Sequence, residues 1–82
     1  MNEDPVDDSI IKNLNRGLDR FFKMHGADSP DSGLYQRIVW EVEKVLIEKT
    51  MQHAKNVQIN AAKILGINRN TLRKKIKELD IK

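Results

Sequence analysis

Two short helical patterns on either side of Gly66 constrain the fold of this chain most. Apolar side chains recur at helical spacing over about residues 57–65 and again over about residues 69–79. Glycine allows the positive φ angle that a sharp turn between two short helices requires. Residues 57–79 therefore predict a helix-turn-helix, with Asn68 as the N-cap of the last helix.

Packing within this motif depends on a few small or apolar positions. A side chain as small as that of Ala62 lets the two helices approach closely, and Ile67 would fill the turn between them. Leu72 and Ile76 are four residues apart and would dock the last helix on the preceding one. The predicted turn and packing residues are Ala62, Gly66, Ile67, Leu72 and Ile76.

The opposite face of the last helix carries almost only hydrogen-bond donors. With Leu72 toward the core, Arg69, Arg73 and Lys77 follow each other at intervals of four residues. Arginine recognises guanine and asparagine recognises adenine in the DNA major groove, whereas lysine and threonine contact phosphate. The first residues of such a helix meet base edges, so the predicted base-reading residues are Asn68, Arg69, Asn70 and Arg73. The predicted phosphate-contacting residues are Thr71, Lys74, Lys75 and Lys77.

The distribution of charge indicates the same kind of partner. The whole chain of 82 residues has 15 Lys and Arg and 12 Asp and Glu, a net charge of +3. Residues 55–82 carry eight basic and two acidic side chains, a net charge of +6, whereas residues 1–35 have a net charge of −3. A basic segment on a nearly balanced chain favours a polyanionic partner.

A first helix is predicted after a short acidic segment. Residues 1–8 are expected to form a disordered acidic tail or linker. Ser9 is the predicted N-cap, with Asp7 or Asp8 as alternatives. Apolar side chains then recur at spacings of three and four residues, and we expect the helix to end near Gly26.

A long second helix, capped by Asp31 or Ser32, is apolar over too much of its circumference for burial on one side only. Its acidic side chains, Glu43 among them, are expected to pair with lysines of the same helix. We predict that the first two helices form a dimer core, although a monomer with a central second helix would also bury this surface. The predicted dimer-interface residues are Leu14, Leu18, Phe21, Phe22, Ile38, Val42 and Val45.

The resulting organisation is all-α, with dimerisation helices over residues 9–54 and a helix-turn-helix unit over residues 55–82. We expect that the chain is not an enzyme, because no nucleophile, base and orienting group are spaced so that they could form a catalytic site. No cofactor or metal is expected, since the chain has two histidines and no cysteine. We also expect no membrane span, no signal peptide and a cytoplasmic location, because the longest apolar runs are far shorter than about 20 residues.

Several of these residues carry a resemblance to a known family. The stretch from Gly66 to Lys75 (Gly-Ile-Asn-Arg-Asn-Thr-Leu-Arg-Lys-Lys) resembles the bacterial nucleoid protein Fis. It also resembles the Fis-type domain that ends NtrC-class activators of sigma-54 RNA polymerase. The resemblance covers about residues 8–82 and implies a dimer of four-helix chains in which the first two helices intertwine. It also implies base contacts by Asn68 and Arg69, and further DNA contacts by Thr71, Arg73, Lys74 and Lys75.

Departures from the Fis pattern favour the activator interpretation. Asn70 replaces a glycine of Fis, and the run Arg69 to Leu72, followed by Lys77-Glu78-Leu79, looks more like the activators. Val57, Ile59 and Asn60 stand where Fis has polar phosphate-contacting residues, so the contacts of Fis to the flanking DNA backbone are not expected here. We therefore expect a homodimeric, sequence-specific DNA-binding domain of a bacterial activator, with an ATPase domain on the same full-length chain. A free-standing architectural protein of the nucleoid and a helical protein-interaction module remain as alternatives.

Overall fold

The regular structure is entirely α-helical over the residues that the computed structural model describes, which are 8–25 and 33–81. Four helices follow one another: α1 (Asp8–His25), α2 (Leu34–His53), α3 (Gln58–Leu65) and α4 (Arg69–Glu78). The predicted all-α, four-helix fold is confirmed.

The helix boundaries differ from the predicted ones at two N-termini. Ser9 is not the N-cap of α1, because it lies within the helix after Asp8. The N-cap of α2 is Gly33, so no side chain caps the start of this helix by a hydrogen bond. The alternatives Asp31 and Ser32 lie outside the described residues, as do Asp7, Gly26 and all of the predicted acidic tail except Asp8.

The chain divides into two compact units, Met1–Ser32 and Gly33–Lys82. In the first unit, α1 has half-buried Leu18 and Phe21 and exposed Leu14 and Phe22. The rings of Phe21 and Phe22 meet edge to face, with centroids 5.2 Å apart. The predicted boundary between residues 54 and 55 separates the dimerisation helices from the DNA-binding unit. This division by function stays a prediction.

The second unit has its core where the C-terminal half of α2 meets α3 and α4. Ile47 and Leu72 are the largest side chains that are fully buried there. The buried apolar residues of this core are Ile47, Ala54, Ala61, Ala62, Leu72 and Leu79. Thr50 is also buried, and its Oγ1 donates a hydrogen bond of 2.8 Å to the carbonyl of Leu46 within the same helix. This local bond satisfies the hydroxyl without a partner from another helix.

The connection from α2 to α3 turns without a glycine. Lys55 and Asn56 both have left-handed φ angles, of 55° and 65°. The N–H of Asn56 donates a 2.8 Å hydrogen bond to the carbonyl of Met51, which closes the end of α2. Asparagine adopts this conformation more readily than most residues, but lysine does not. The turn sets the direction in which the chain enters the helix-turn-helix.

Candidate nucleic-acid interface

The turn between α3 and α4 is formed by Gly66, whose φ of 73° and ψ of 30° are left-handed. Its N–H donates to the carbonyl of Ala62 at 2.8 Å, and the N–H of Ile67 donates to the same carbonyl at 3.1 Å. These bonds satisfy the end of α3 while the chain reverses. The glycine thus lies at the position and in the conformation that the sequence predicts.

The predicted packing residues come together around this turn. Leu72 is fully buried and Ala62 is 5% exposed, while Ile67 and Ile76 are half-buried and pack against the same core. Ala61 is also fully buried and was not among the predicted packing residues. Its signal was the spacing of four residues to Leu65, which puts both side chains on one face of α3.

Asn68 holds the start of α4. It has an extended backbone, with φ of −69° and ψ of 142°, and its Oδ1 accepts a 2.7 Å hydrogen bond from the N–H of Asn70. This is the N-cap that the sequence predicts. The cap uses only the side-chain oxygen of Asn68. Because Asn68 is exposed, its amide NH2 can donate a hydrogen bond to another molecule.

Six of the predicted DNA-contacting side chains on α4 itself are exposed. They are Arg69, Asn70, Thr71, Arg73, Lys74 and Lys77. The buried Leu72 fixes the rotation of the helix, so that Asn70, Lys74 and Lys77 point away from the core, while Arg69, Thr71 and Arg73 lie on its flanks. The arrangement presents guanidinium, amide and ammonium donors on one rigid surface, which can bind phosphate and the edges of bases.

Lys75 differs from these residues because it is half-buried and ion-paired. Its Nζ lies 2.5 Å from Oε2 of Glu43 on α2, and the two side chains are 35% and 30% exposed. The hydrogen bond to Glu43 raises the pKa of Lys75 above its ordinary value, because it stabilises the charged ammonium. The predicted pairing of Glu43 with a lysine of α2 is wrong. Lys44 and Lys49 lie one and six residues from Glu43 and do not face it on the helix, whereas the packing of α4 brings Lys75 into contact.

The predicted dimer-interface residues supply apolar surface on both units. In α2, Val42 and Val45 are 47% and 51% exposed, and Ile38 is half-buried. Four further apolar side chains of α2 are exposed: Tyr35, Val39, Trp40 and Leu46. Lys44 places its Nζ 5.4 Å from the centre of the Trp40 ring, a cation–π contact. The dimer through these residues stays a prediction.

Among the described residues, no group of three or more His, Cys, Asp or Glu side chains could hold a metal ion. No described helix is both long enough and apolar enough to cross a membrane.

Comparison with known proteins places this helix-turn-helix in a family. Residues 38–79, which cover most of α2 and all of α3 and α4, match the family described as "Bacterial regulatory protein, Fis family". The chain belongs to the Fis family. Its resemblance to Fis, stated above from the residues around Gly66, is thereby confirmed.

The chain matches some relatives over a small part of their length and others over most of it. The chain is 43% identical over 79 residues to the DNA-binding transcriptional regulator NtrC of Azospirillum brasilense, and covers 96% of itself and 16% of that protein. It is 42% identical over 73 residues to NtrC of Rhizobium meliloti, of which it spans 15%. It is 39% identical over 74 residues to the DNA-binding protein Fis of Proteus mirabilis, of which it spans 70%.

Proposed function

We propose that this chain binds double-stranded DNA as a homodimer, with α4 in the major groove, and serves as the DNA-binding domain of a sigma-54-dependent, NtrC-like activator. The observation that carries the proposal is the outward face of α4. Arg69, Asn70 and Arg73 are exposed at its start, while Leu72 anchors its other side in the core. A rigid helix with donors at its first turns suits base recognition.

Base reading is assigned to Asn68, Arg69, Asn70 and Arg73. Each arginine can form two parallel hydrogen bonds to guanine, and Asn70 can do the same with adenine. Asn68 has a divided role, because its Oδ1 holds the cap and leaves only the NH2 for DNA.

Phosphate contact is assigned to Thr71, Lys74 and Lys77, which are exposed beside the base-reading residues. Such contacts fix the register of a helix on the duplex and carry no sequence information of their own. Lys75, predicted to belong with them, is already paired with Glu43.

A dimer would cover the apolar surface of α1 and α2. Exposed apolar side chains at Val42 and Val45 are costly in water unless another surface buries them. A two-fold dimer would present two copies of α4 to a two-fold DNA site. The Fis-family membership and the wide apolar arc of α2 support this arrangement.

Similarity to NtrC supports the activator role. The chain is 43% identical to the Azospirillum brasilense regulator over 96% of its own length. In that role the full-length protein would carry an ATPase domain, this segment would not itself be an enzyme, and it would act in the cytoplasm at the nucleoid. The second candidate is a free-standing architectural protein, favoured by the 39% identity over 74 residues to Fis of Proteus mirabilis.

The test is selection of bound duplexes from a random-sequence pool, followed by sequencing. A palindrome with two well-defined half-sites would support a specific activator. A loose and degenerate pattern would support the architectural role instead. No enrichment over non-specific binding would contradict sequence-specific DNA binding and favour a helical protein-interaction module.

A further inference from the structure

The direction of Lys75 on α4 separates it from the other lysines of that helix. At 100° per residue, Lys74 and Lys77 point about 160° and 140° away from the buried Leu72, whereas Lys75 points only about 60° away from it. Lys75 therefore lies at the edge of the core face, on the side where α2 packs, while Lys74 and Lys77 point into solvent.

The partner of Lys75 is held in place from the other helix. Glu43 and the buried Ile47 are four residues apart and lie on the same face of α2. Lys75 and the buried Leu79 have the same relation at the end of α4. The ion pair between Glu43 and Lys75 thus lies directly beside the core that joins the two helices, and its two side chains are about two-thirds buried.

On the basis of the DNA-binding function proposed above, we propose that Glu43 is a positioning residue that holds Lys75 against α2 and out of the phosphate contacts. Lys75 could reach a phosphate only by leaving Glu43, and the carboxylate would then be unpaired beside the anionic DNA backbone. The surface of α4 that contacts phosphate consequently ends at Lys74 and Lys77. Glu43 therefore lowers by one the number of DNA phosphates that each chain neutralises.

The salt dependence of DNA binding measures this number directly. The probe is a mixed-sequence DNA duplex, and the dissociation constant is measured over a range of salt concentrations. For B-DNA, the slope of log affinity against log salt changes by about 0.9 for each phosphate neutralised. The wild-type chain is compared with Glu43→Gln, Lys75→Met, the double variant of both, and Lys74→Met as the matched lysine control.

Each variant has a distinct expected result. Lys74→Met should make the slope shallower by about 0.9 per chain, whereas Lys75→Met should leave it unchanged. Glu43→Gln should tighten binding and steepen the slope by about 0.9, because Lys75 becomes free to contact a phosphate. The double variant should behave as Lys75→Met does. Circular dichroism checks the helices of every variant, and Glu43→Ala replaces Glu43→Gln if the latter is not folded.

Three results would overturn the inference. Lys75→Met could flatten the slope as much as Lys74→Met does, which would make Lys75 an ordinary phosphate contact. A folded Glu43→Gln variant could leave the DNA affinity and the salt slope unchanged. Alternatively, Glu43→Gln could raise the DNA affinity and steepen the slope equally in the wild-type chain and in the Lys75→Met variant. That last result would reduce the role of Glu43 to general repulsion of DNA. A wild-type chain without salt-dependent binding would instead overturn the proposed function, on which the inference rests.

Discussion

The side-chain Oδ1 of Asn68 accepts a 2.7 Å hydrogen bond from the backbone N–H of Asn70, so Asn68 caps the N-terminus of α4. Asn68→Ala should destabilise the fold by about 1 kcal/mol, because a helix N-terminal N–H loses its partner. Asn68→Ser should restore most of this stability, since serine is also a good N-cap. Urea unfolding of both variants gives the comparison.

The serine variant also separates capping from DNA recognition. Asn68→Ser keeps the cap and removes the amide NH2, so sequence preference should weaken while stability is retained. Equal stability loss in the alanine and serine variants would show that the cap is not what stabilises this turn.

Gly66 should tolerate asparagine better than alanine. Apart from Gly66 itself and its two neighbours in the chain, no heavy atom lies within 4 Å of the position that a Cβ would take, so the cost of substitution comes from the φ angle of 73° and not from a clash. Gly66→Ala should reduce the free energy of unfolding by about 1–2 kcal/mol. Gly66→Asn should cost less, because asparagine adopts left-handed conformations more readily. Thermal unfolding followed by circular dichroism measures both, and equal losses would contradict a conformational origin.

Val42→Lys should dissociate the proposed dimer while the chain stays folded. The side chain of Val42 is 47% exposed in the single chain, so a lysine can reach water there, whereas burial of its charge in an interface would be costly. Sedimentation equilibrium gives the mass of the assembly. Ile64→Lys is the matched control, because Ile64 is 57% exposed and lies on α3 outside the predicted interface. A Val42→Lys variant that remains dimeric would contradict this interface.

Arg69→Ala should weaken binding to the preferred DNA site by about 1–3 kcal/mol and relax preference at one base position. Lys74→Ala should weaken binding evenly across sequences and make the salt slope smaller by about one. Titration of the selected site and of single-base variants separates the two effects. If Arg69→Ala weakened all sequences equally, Arg69 would be a phosphate contact and not a base reader.

The local features of the fold could be predicted from the sequence because each depends on residues close together in the chain. The spacing of apolar side chains gave the four helices, and Gly66 and Asn68 gave the end of α3 and the start of α4. The cap at Gly33 was not predicted, because a glycine N-cap without a side-chain bond has no distinctive pattern. The left-handed pair Lys55 and Asn56 was missed for a similar reason, since no glycine marks it.

By itself, the sequence determined where the helices form, which face of α4 carries donors, and which residue allows the tight turn. These properties follow from helical periodicity and from the φ angles that single residues permit. Only the tertiary structure decided that Glu43 pairs with Lys75. Within α2, Lys44 and Lys49 lie one and six residues from Glu43, so neither faces it on the helix, and no local pattern indicates a partner on a distant helix. The packing of α2, α3 and α4 around Ile47 and Leu72 brings the ammonium and the carboxylate together.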